Sequence, residues 1–303
     1  MKITNLLRTL LIVFSASAIF FSGCKKDSNN PGGSSTTGSD SAAANMSSAS
    51  VTADAAYNDV LQVALEGSSD NNIAYMVSQA SRGNVETNGV HSVTGVNGLL
   101  LTCATYTLSP ADTSTFPKTL TVDFGTGCTS SDGITRKGKV TYVLSGKILI
   151  PGTTVSASFT NYFVNGYQLQ GTYSITNNSS LAGISYTASV TGGSITYPDA
   201  TQYNYSGTKI VKMTSGMSTP TDPTDDIYSI AGNASFSSST GNTLTDSVTT
   251  LLSKAYSCRY VGSGVISFTY NNSISGTLDF GTGLCDNLAT IQIGNFTDYI
   301  TLQ

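Results

Sequence analysis

The chain has 303 residues, and only 11% of them are charged, against about 25% in typical soluble domains. It contains no Trp and a single His, and its formal net charge is −4 at pH 7. This composition argues against a coiled coil or helical bundle, and the lack of a basic surplus argues against a nucleic-acid partner. Few side chains are available for acid–base chemistry, so we expect a non-enzymatic protein without a cofactor.

Residues 1–23 have the pattern of a bacterial export signal. Lys2 and Arg8 precede an apolar run over residues 10–21. The run is shorter than the roughly 20 residues of a membrane-spanning helix. It leads into Ser22-Gly23-Cys24, and small residues followed directly by Cys resemble a lipobox.

The lipobox resemblance implies that Cys24 is lipidated. The thiol of such a Cys receives a diacylglycerol, cleavage occurs before the Cys, and the new amine is acylated, which makes a stable membrane anchor. Lys25 follows Cys24 in place of Asp, and the usual sorting pattern of Gram-negative lipoproteins then favours the outer membrane. The alternative is an ordinary secretory signal with a chance Cys. The side of the membrane that the protein faces stays open.

The segment after Cys24 predicts a tether. Residues 25–50 are mostly Ser, Gly, Asn, Thr and Ala, and such a segment buries too little apolar surface to offset the entropy of ordering it. We therefore expect residues 24–50 to be a lipidated Cys and a flexible linker with a mean reach of roughly 25–30 Å. A single β-rich domain is expected over residues 51–303.

That domain is predicted to begin with a helix over residues 52–66. Thr52 can cap its N-terminus, Gly67 can end it, and Val60, Leu61 and Ala64 share one apolar face. This face is expected to pack on a sheet. A short helical turn is also predicted within residues 73–80.

From about Val93 onward the pattern becomes that of strands. The runs are rich in Val, Ile, Thr, Tyr and Phe and are separated by Gly, Asn, Pro or Asp-Gly. The main runs are 139–150, 155–164, 167–176, 184–190, 203–212, 227–236, 265–270 and 288–296. Short turns without intervening helices predict an antiparallel meander. Asn165-Gly166 and Asp132-Gly133 are hairpin turn signals.

Glycines recur inside these runs and indicate a bend shared across the sheet. They are Gly146, Gly171, Gly207, Gly232, Gly264 and Gly276. The expected fold is mainly β: a large curved antiparallel sheet in meander order, a half-barrel or open roll, with one N-terminal α-helix packed on it. The concave face is expected to be filled by the helix or, as the alternative, to hold an apolar ligand.

An internal repeat suggests how the remaining cysteines pair. The segments 103–128 and 258–285 each end in a phrase of the form apolar-Asp-Phe-Gly-Thr-Gly, followed by Cys directly in the first and after one residue in the second. Both segments look like hairpins whose open end is closed by a disulfide, which predicts the pairs Cys103–Cys128 and Cys258–Cys285. Each disulfide is expected to stabilise the folded protein by roughly 3–4 kcal/mol in the chain-entropy model.

The acidic residues of the repeat have two interpretations. Asp123 and Asp279 occupy equivalent places. They are either paired oxygen ligands for a cation or, as we favour, acceptors for the backbone amides of the following turn.

The chain resembles an uncharacterised family of envelope lipoproteins from Gram-negative bacteria. The resemblance covers about residues 50–303 and is carried most specifically by the two Asp-Phe-Gly-Thr-Gly phrases, together with the runs 159–177, 225–236 and 258–268. It implies an all-β, exported, lipid-anchored protein. The family has no assigned activity, so the resemblance adds no chemistry.

Two charged clusters are candidate sites. Asp222, Asp225 and Asp226 lie in a Pro-containing loop that either binds a cation such as Ca²⁺ or is simply solvated. A basic group over Arg136, Lys137 and Lys139 either contacts an anionic glycan or headgroup, or neutralises an exposed turn at a strand edge. His91 stands alone, so no metal site is expected around it.

These patterns predict an outer-membrane-anchored envelope lipoprotein that acts as a non-enzymatic binding or structural module. Its partners are expected to be the membrane, through the N-terminal lipid, and a glycan, lipid or protein ligand. The alternative function is that of a carrier which holds an acyl chain or other apolar ligand in the concave face of the sheet.

Overall fold

The computed structural model describes residues 38–68, 91–94, 103–130, 133–219, 225–258 and 260–302. Within these residues the protein has one helix and fifteen strands. Their bounds are α1 Gly38–Gly67, β1 His91–Thr94, β2 Thr105–Ser109, β3 Lys118–Asp123, β4 Cys128–Thr129, β5 Thr135–Leu144, β6 Thr154–Val164, β7 Tyr167–Asn177, β8 Ser185–Thr196, β9 Gln202–Ser215, β10 Ile227–Ser238, β11 Thr243–Ala255, β12 Ser263–Tyr270, β13 Ile274–Thr282, β14 Leu288–Ile293 and β15 Phe296–Thr301.

The strands form one antiparallel sheet in meander order. Fourteen of the described strands follow one another across it in sequence, and β4 pairs with β5 beside this path. The sheet is not closed. The predicted mainly β, meander architecture is therefore confirmed.

The Asn-Gly turn has the predicted geometry. Val164 pairs with Tyr167 at the end of β6 and β7. Between them, Asn165 and Gly166 have φ values of 50° and 87°. Positive φ at both central residues is what a tight turn between right-twisted strands requires.

Glycine bulges bend the sheet. At Gly171 the register of β7 against β8 shifts, and φ is 102°. A Cβ there would lie 2.6 Å from the Gly193 Cα on the next strand, so this close approach needs Gly. Register also shifts at Gly232 and Gly264.

The other predicted bend positions differ from these. Gly276 lies within β13 and pairs with β12 in continuous register. Gly207 lies within β9 and pairs with β10 in continuous register, but its pairing with β8 borders a register shift after Val190. Gly146 lies beyond the end of β5, so its place inside a strand was a wrong prediction. A register shift that was not predicted lies at Gly138, between Lys137 and Lys139, where the extra residue belongs to the facing strand β6, between Thr160 and Phe163.

The helix is much longer than predicted. It begins at Gly38 and spans 30 residues, so residues 38–50 belong to the folded domain and correct the prediction of a tether over 25–50. Thr52 is not its N-cap, because its Oγ1 donates a hydrogen bond to the Ser48 carbonyl inside the helix at 3.1 Å. Gly67 ends the helix as predicted. Residues 1–37 and the turn predicted within 73–80 lie outside the described residues.

The sheet wraps around this helix. Ser50, Tyr57 and Asp59 fall within about 15 Å of helix length. They bond to β11, to β7 and β8, and to β5 respectively. In a flat sheet β5 and β11 would be roughly 29 Å apart. The helix therefore lies in the concave face, and of the two predicted occupants of that face the structure contains the helix.

Both disulfide pairs are found as predicted. Cys103 pairs with Cys128, with an S–S distance of 2.16 Å, and Cys258 pairs with Cys285 at 2.12 Å. The first pair lies at the open end of the β2–β3 hairpin and the second at the open end of the β12–β13 hairpin.

The repeated Asp residues bond to the turn that follows them. The Oδ1 of Asp123 accepts a hydrogen bond from the Gly125 amide, and Oδ1 of Asp279 accepts one from the Gly281 amide, each at 2.8 Å. The structure thus contains the favoured arrangement, in which each Asp accepts a hydrogen bond from a backbone amide of the following turn.

Candidate functional site

Two buried ion clusters join the helix to the sheet. Asp54 and Asp59 are five residues apart on α1, so their side chains leave the helix in different directions. The Arg136 cluster consists of Asp59, Arg136, Ser130 and Tyr162. The Lys209 cluster consists of Asp54, Lys209, Asp246, Ser50 and Tyr205.

The Arg136 cluster is a two-point charge pair. Nε and Nη2 of Arg136 donate to the two carboxylate oxygens of Asp59, at 2.9 and 2.5 Å. Nη1 donates to Ser130 Oγ at 3.1 Å, and the Tyr162 hydroxyl donates to Asp59 at 3.2 Å. Both charged side chains are fully buried. Their hydrogen bonds fix the helix against β5, as bidentate Arg–carboxylate pairs do.

The Lys209 cluster places one cation between two carboxylates. Nζ of Lys209 lies 2.7 Å from Asp54 Oδ2 and 4.0 Å from Asp246 Oδ1. The Tyr205 hydroxyl donates to Asp54 Oδ1, and Ser50 Oγ donates to Asp246 Oδ2 at 2.9 Å. Among the described residues, neither Lys209 Nζ nor Asp246 Oδ1 has a hydrogen bond of normal geometry. This cluster is therefore less completely bonded than the other.

Burial shifts the protonation of the Lys209 cluster. It raises the pKa of Asp246 to about 6, and the nearby Asp54 carboxylate adds to this rise against the opposing effect of Lys209. Burial lowers the pKa of Lys209, but the attraction of Asp54 and Asp246 outweighs it, so the pKa lies above its ordinary value. Around pH 6 the cluster therefore exchanges a proton at Asp246.

An apolar cavity of about 110 Å³ borders the Lys209 cluster. The helix contributes Val51 and Ala55 to its wall, and Asp54 and Lys209 are also at its surface. The sheet contributes mostly apolar side chains, among them Ile230, Leu252, Ile266, Phe280 and Ile300. The volume is below the roughly 150 Å³ of an engineered cavity that holds benzene, so the space left beside the helix is small.

A second depression lies on the outer face of β7 to β11. It is lined by uncharged polar side chains, and on β9 the exposed Gln202, Asn204 and Ser206 alternate with the buried Tyr205. The other polar residues along it are Gln170, Ser194, Ser235, Ser237, Thr243, Thr245 and Asn272. The surface offers both hydrogen-bond donors and acceptors without charge.

The predicted basic cluster is divided by the sheet. Arg136 points inward and is fully buried against Asp59, whereas Lys137 and Lys139 are exposed on the other face. Lys137 lies over the Phe163 ring at 5.0 Å, and Lys139 pairs with Asp123 at 2.9 Å. The three residues therefore do not form one anion contact, because side chains alternate along a strand.

The predicted acidic cluster is also divided. Asp222 lies outside the described residues. Asp225 is exposed and accepts a hydrogen bond from Thr219 at 2.7 Å, whereas Asp226 is fully buried and accepts one from Tyr228 at 3.2 Å. Within the described residues no group of three or more His, Cys, Asp or Glu side chains could hold a metal ion.

Two further predictions concern His91 and the N-terminal segment with Cys24. His91 begins β1 and pairs with Leu108. Cys24 and the export signal over residues 1–23 lie outside the described residues. In the described part of the chain, no helix has both the length and the apolar character needed to cross a membrane.

The described part of the protein is thus an open antiparallel meander sheet that wraps around one long helix, and the two ion clusters connect the helix to the sheet. Comparisons of the chain with protein-family models, with curated proteins and with solved structures find no match.

Proposed function

We propose that this chain is an outer-membrane-anchored envelope lipoprotein whose β domain is a non-enzymatic binding module. The helix in the concave face carries the proposal, because a carrier needs that space for its ligand. Ala53, Val60 and Ala64 of the helix are fully buried there. The lipid on Cys24 would then hold this filled domain near the membrane.

The outer depression on β7 to β11 is the proposed binding surface, and a neutral glycan is its proposed ligand. Sugar hydroxyls both donate and accept hydrogen bonds, as do Ser, Thr, Asn and Gln side chains. Among the described residues that line the depression none is charged, which does not favour an anionic ligand. The exposed Asn204 contributes an amide whose Nδ2 donates to Ser237 Oγ at 3.4 Å.

Binding of neutral oligosaccharides by the purified protein tests this surface. An array would identify a ligand, and calorimetry would give its affinity. Asn204→Ala is expected to weaken binding by roughly 2- to 12-fold, the equivalent of one hydrogen bond. Asn178→Ala is the matched control, since this exposed Asn lies outside the depression and its loss should not change affinity. An array on which no neutral oligosaccharide binds contradicts the proposal.

The anchor is tested by fractionation of cells. Cys24→Ser should move the protein from the membrane to the soluble envelope fraction, because no acyl chain can then be attached. Lys25→Asp keeps the acylated Cys and should leave the protein membrane-bound while retaining it in the inner membrane. A Cys24→Ser protein that stays in the membrane fraction rules out the lipid anchor.

The apolar cavity favours a second candidate function, that of a carrier. Its volume limits the ligand to a short apolar group, unless the helix moves to enlarge it. Native mass spectrometry of the purified protein distinguishes the two functions. Co-purifying lipid supports the carrier, and its consistent absence supports the module.

A further inference from the structure

We propose that Lys209 and Asp54 become joined by an intramolecular isopeptide bond, from Nζ of Lys209 to Cγ of Asp54. Asp246 is the carboxyl group that transfers the protons. The bond would covalently attach helix α1 to strand β9. It is a modification site independent of the proposed binding function.

The amine and the carboxyl group are already in contact. Nζ of Lys209 lies 2.7 Å from Asp54 Oδ2, and this oxygen is bonded to Cγ, the atom that the amine attacks. The two reacting groups are therefore side by side before the reaction. The distance from Nζ to Oδ2 is that of a hydrogen bond, but the angles at the two atoms are not those of a hydrogen bond. Nζ is thus held against the carboxyl group without being aligned for an ordinary hydrogen bond. The side chains are only 8% and 13% exposed, so few water molecules compete for this contact.

Neighbouring groups supply what acyl transfer needs. Asp246 Oδ1 lies 4.0 Å from Nζ, and burial raises the pKa of this carboxyl to about 6, which lets it both accept and return a proton near neutral pH. The Tyr205 hydroxyl donates to Asp54 Oδ1. That donor stabilises the negative charge which develops on oxygen when the carboxyl carbon is attacked.

The reaction is a condensation that needs no oxidant or cofactor. The reactive form is a minor one, because the carboxylates favour the ammonium form of Lys209: Lys209 gives one ammonium proton to Asp246, and the neutral Nζ forms a bond to Asp54 Cγ. The Cγ–Oδ2 bond then breaks, and Oδ2 leaves as water with one proton from Nζ and one returned by Asp246. One ammonium and one carboxylate become one amide and one water. The adjoining cavity of about 110 Å³ exceeds the roughly 30 Å³ of a water molecule and can receive it.

The Arg136 cluster is an internal control for this chemistry. Arg136 and Asp59 also bridge the helix and the sheet, at 2.5 Å. A guanidinium group keeps its proton and is not a nucleophile at ordinary pH. The amide is therefore expected in one cluster and not in the other.

Peptide mapping of the full-length protein tests the bond. After reduction, alkylation and complete digestion with trypsin, residues 27–82 carry Asp54 and residues 148–209 carry Lys209. The bond blocks cleavage after Lys209, so the expected product is 27–82 joined to 148–212, lighter by one water. Finding the free peptides 27–82 and 148–209 as the only products overturns the proposal.

Two variants separate the chemistry from folding. Lys209→Arg keeps the positive charge but cannot form the amide, so it should give only separate peptides. Asp246→Asn removes the proton-transferring group but leaves Lys209 beside Asp54, and should reduce the joined peptide at least tenfold. A joined peptide at the wild-type level in Asp246→Asn overturns the role of Asp246, and one in Lys209→Arg overturns the assignment of Lys209.

Discussion

The Arg136 and Lys209 clusters perform the same task with different completeness. Each joins one acid of helix α1 to one base of the sheet, and each is buried. Asp59 and Arg136 are held by several hydrogen bonds of good geometry, whereas Lys209 shares its single charge between two carboxylates. The difference follows from the side chains, because guanidinium matches a carboxylate at two points and ammonium is a point charge. A complete pair fixes position, and an incomplete one stays able to exchange protons.

The largest effect is expected when the complete pair is broken. Arg136→Met removes the partner of Asp59 and leaves a fully buried carboxylate, which should lower the free energy of unfolding by about 3–5 kcal/mol. Chemical denaturation measures this loss.

Lys137→Met is the matched control for that variant. The residue is next in the chain but exposed on the opposite face of β5, so its replacement should change stability by no more than about 0.5 kcal/mol. Equal losses in the two variants would contradict the role assigned to the Arg136 cluster.

A smaller effect is expected from the incomplete cluster, and it depends on pH. The pKa of Asp246 is about 6 in the folded protein and near 3.9 when unfolded. Because the folded pKa is raised, the stability that this group contributes is fully present below about pH 4 and is lost as pH rises through 6. Asp246→Asn should remove this dependence, which amounts to at most about 3 kcal/mol.

Two proteins are compared, one with Asp246 and one with Asp246→Asn. Both also carry Lys209→Arg, so that neither can form the amide. The free energy of unfolding of each protein is measured by denaturation at pH 4 and at pH 7.5. The other carboxyl groups are common to both proteins, so their contribution cancels when the two pH dependences are subtracted. Parallel profiles for the two proteins would show that Asp246 is not the titrating group.

The smallest effects concern two buried tyrosines. The Tyr142 hydroxyl donates to the Val60 carbonyl of the helix at 2.9 Å, whereas the Tyr173 hydroxyl has no hydrogen-bond partner among the described residues. Tyr142→Phe should cost about 1 kcal/mol, and Tyr173→Phe should be neutral or slightly stabilising. Thermal unfolding of the two variants distinguishes them. A larger loss in Tyr173→Phe would show that its hydroxyl is bonded in solution.

Much of the fold could be predicted because its signals are local. Alternating strand runs, the Asn165-Gly166 turn and the repeat around the cysteines each depend on neighbouring residues. The helix start could not be found this way. Ala43, Met46, Ala49 and Ala53 are buried at helical spacing, but small side chains among Ser and Asn resemble a linker. Only the sheet that covers them makes them core.

The buried clusters were missed for a different reason. Asp54, Lys209 and Asp246 are far apart in sequence, and each stands in a run that is otherwise typical of its element. The basic run over residues 136–139 gave a visible signal, but a charged residue on the inward face of a strand looks the same as one on the outer face. Val140 and Tyr142 are buried, and Arg136 is an even number of residues from both along β5. This spacing could have predicted that Arg136 lies on the same, inward face of the strand.

The long helix has a consequence for the order of assembly. Each hairpin of the sheet can close as soon as its second strand has been synthesised, since its partners are neighbours in the chain. The helix is made first, yet it contacts strands as late as β14. Such distant contacts are slow to form. The growing chain therefore carries a helix with an apolar face, and the sheet that covers this face is completed only when the last strands are available.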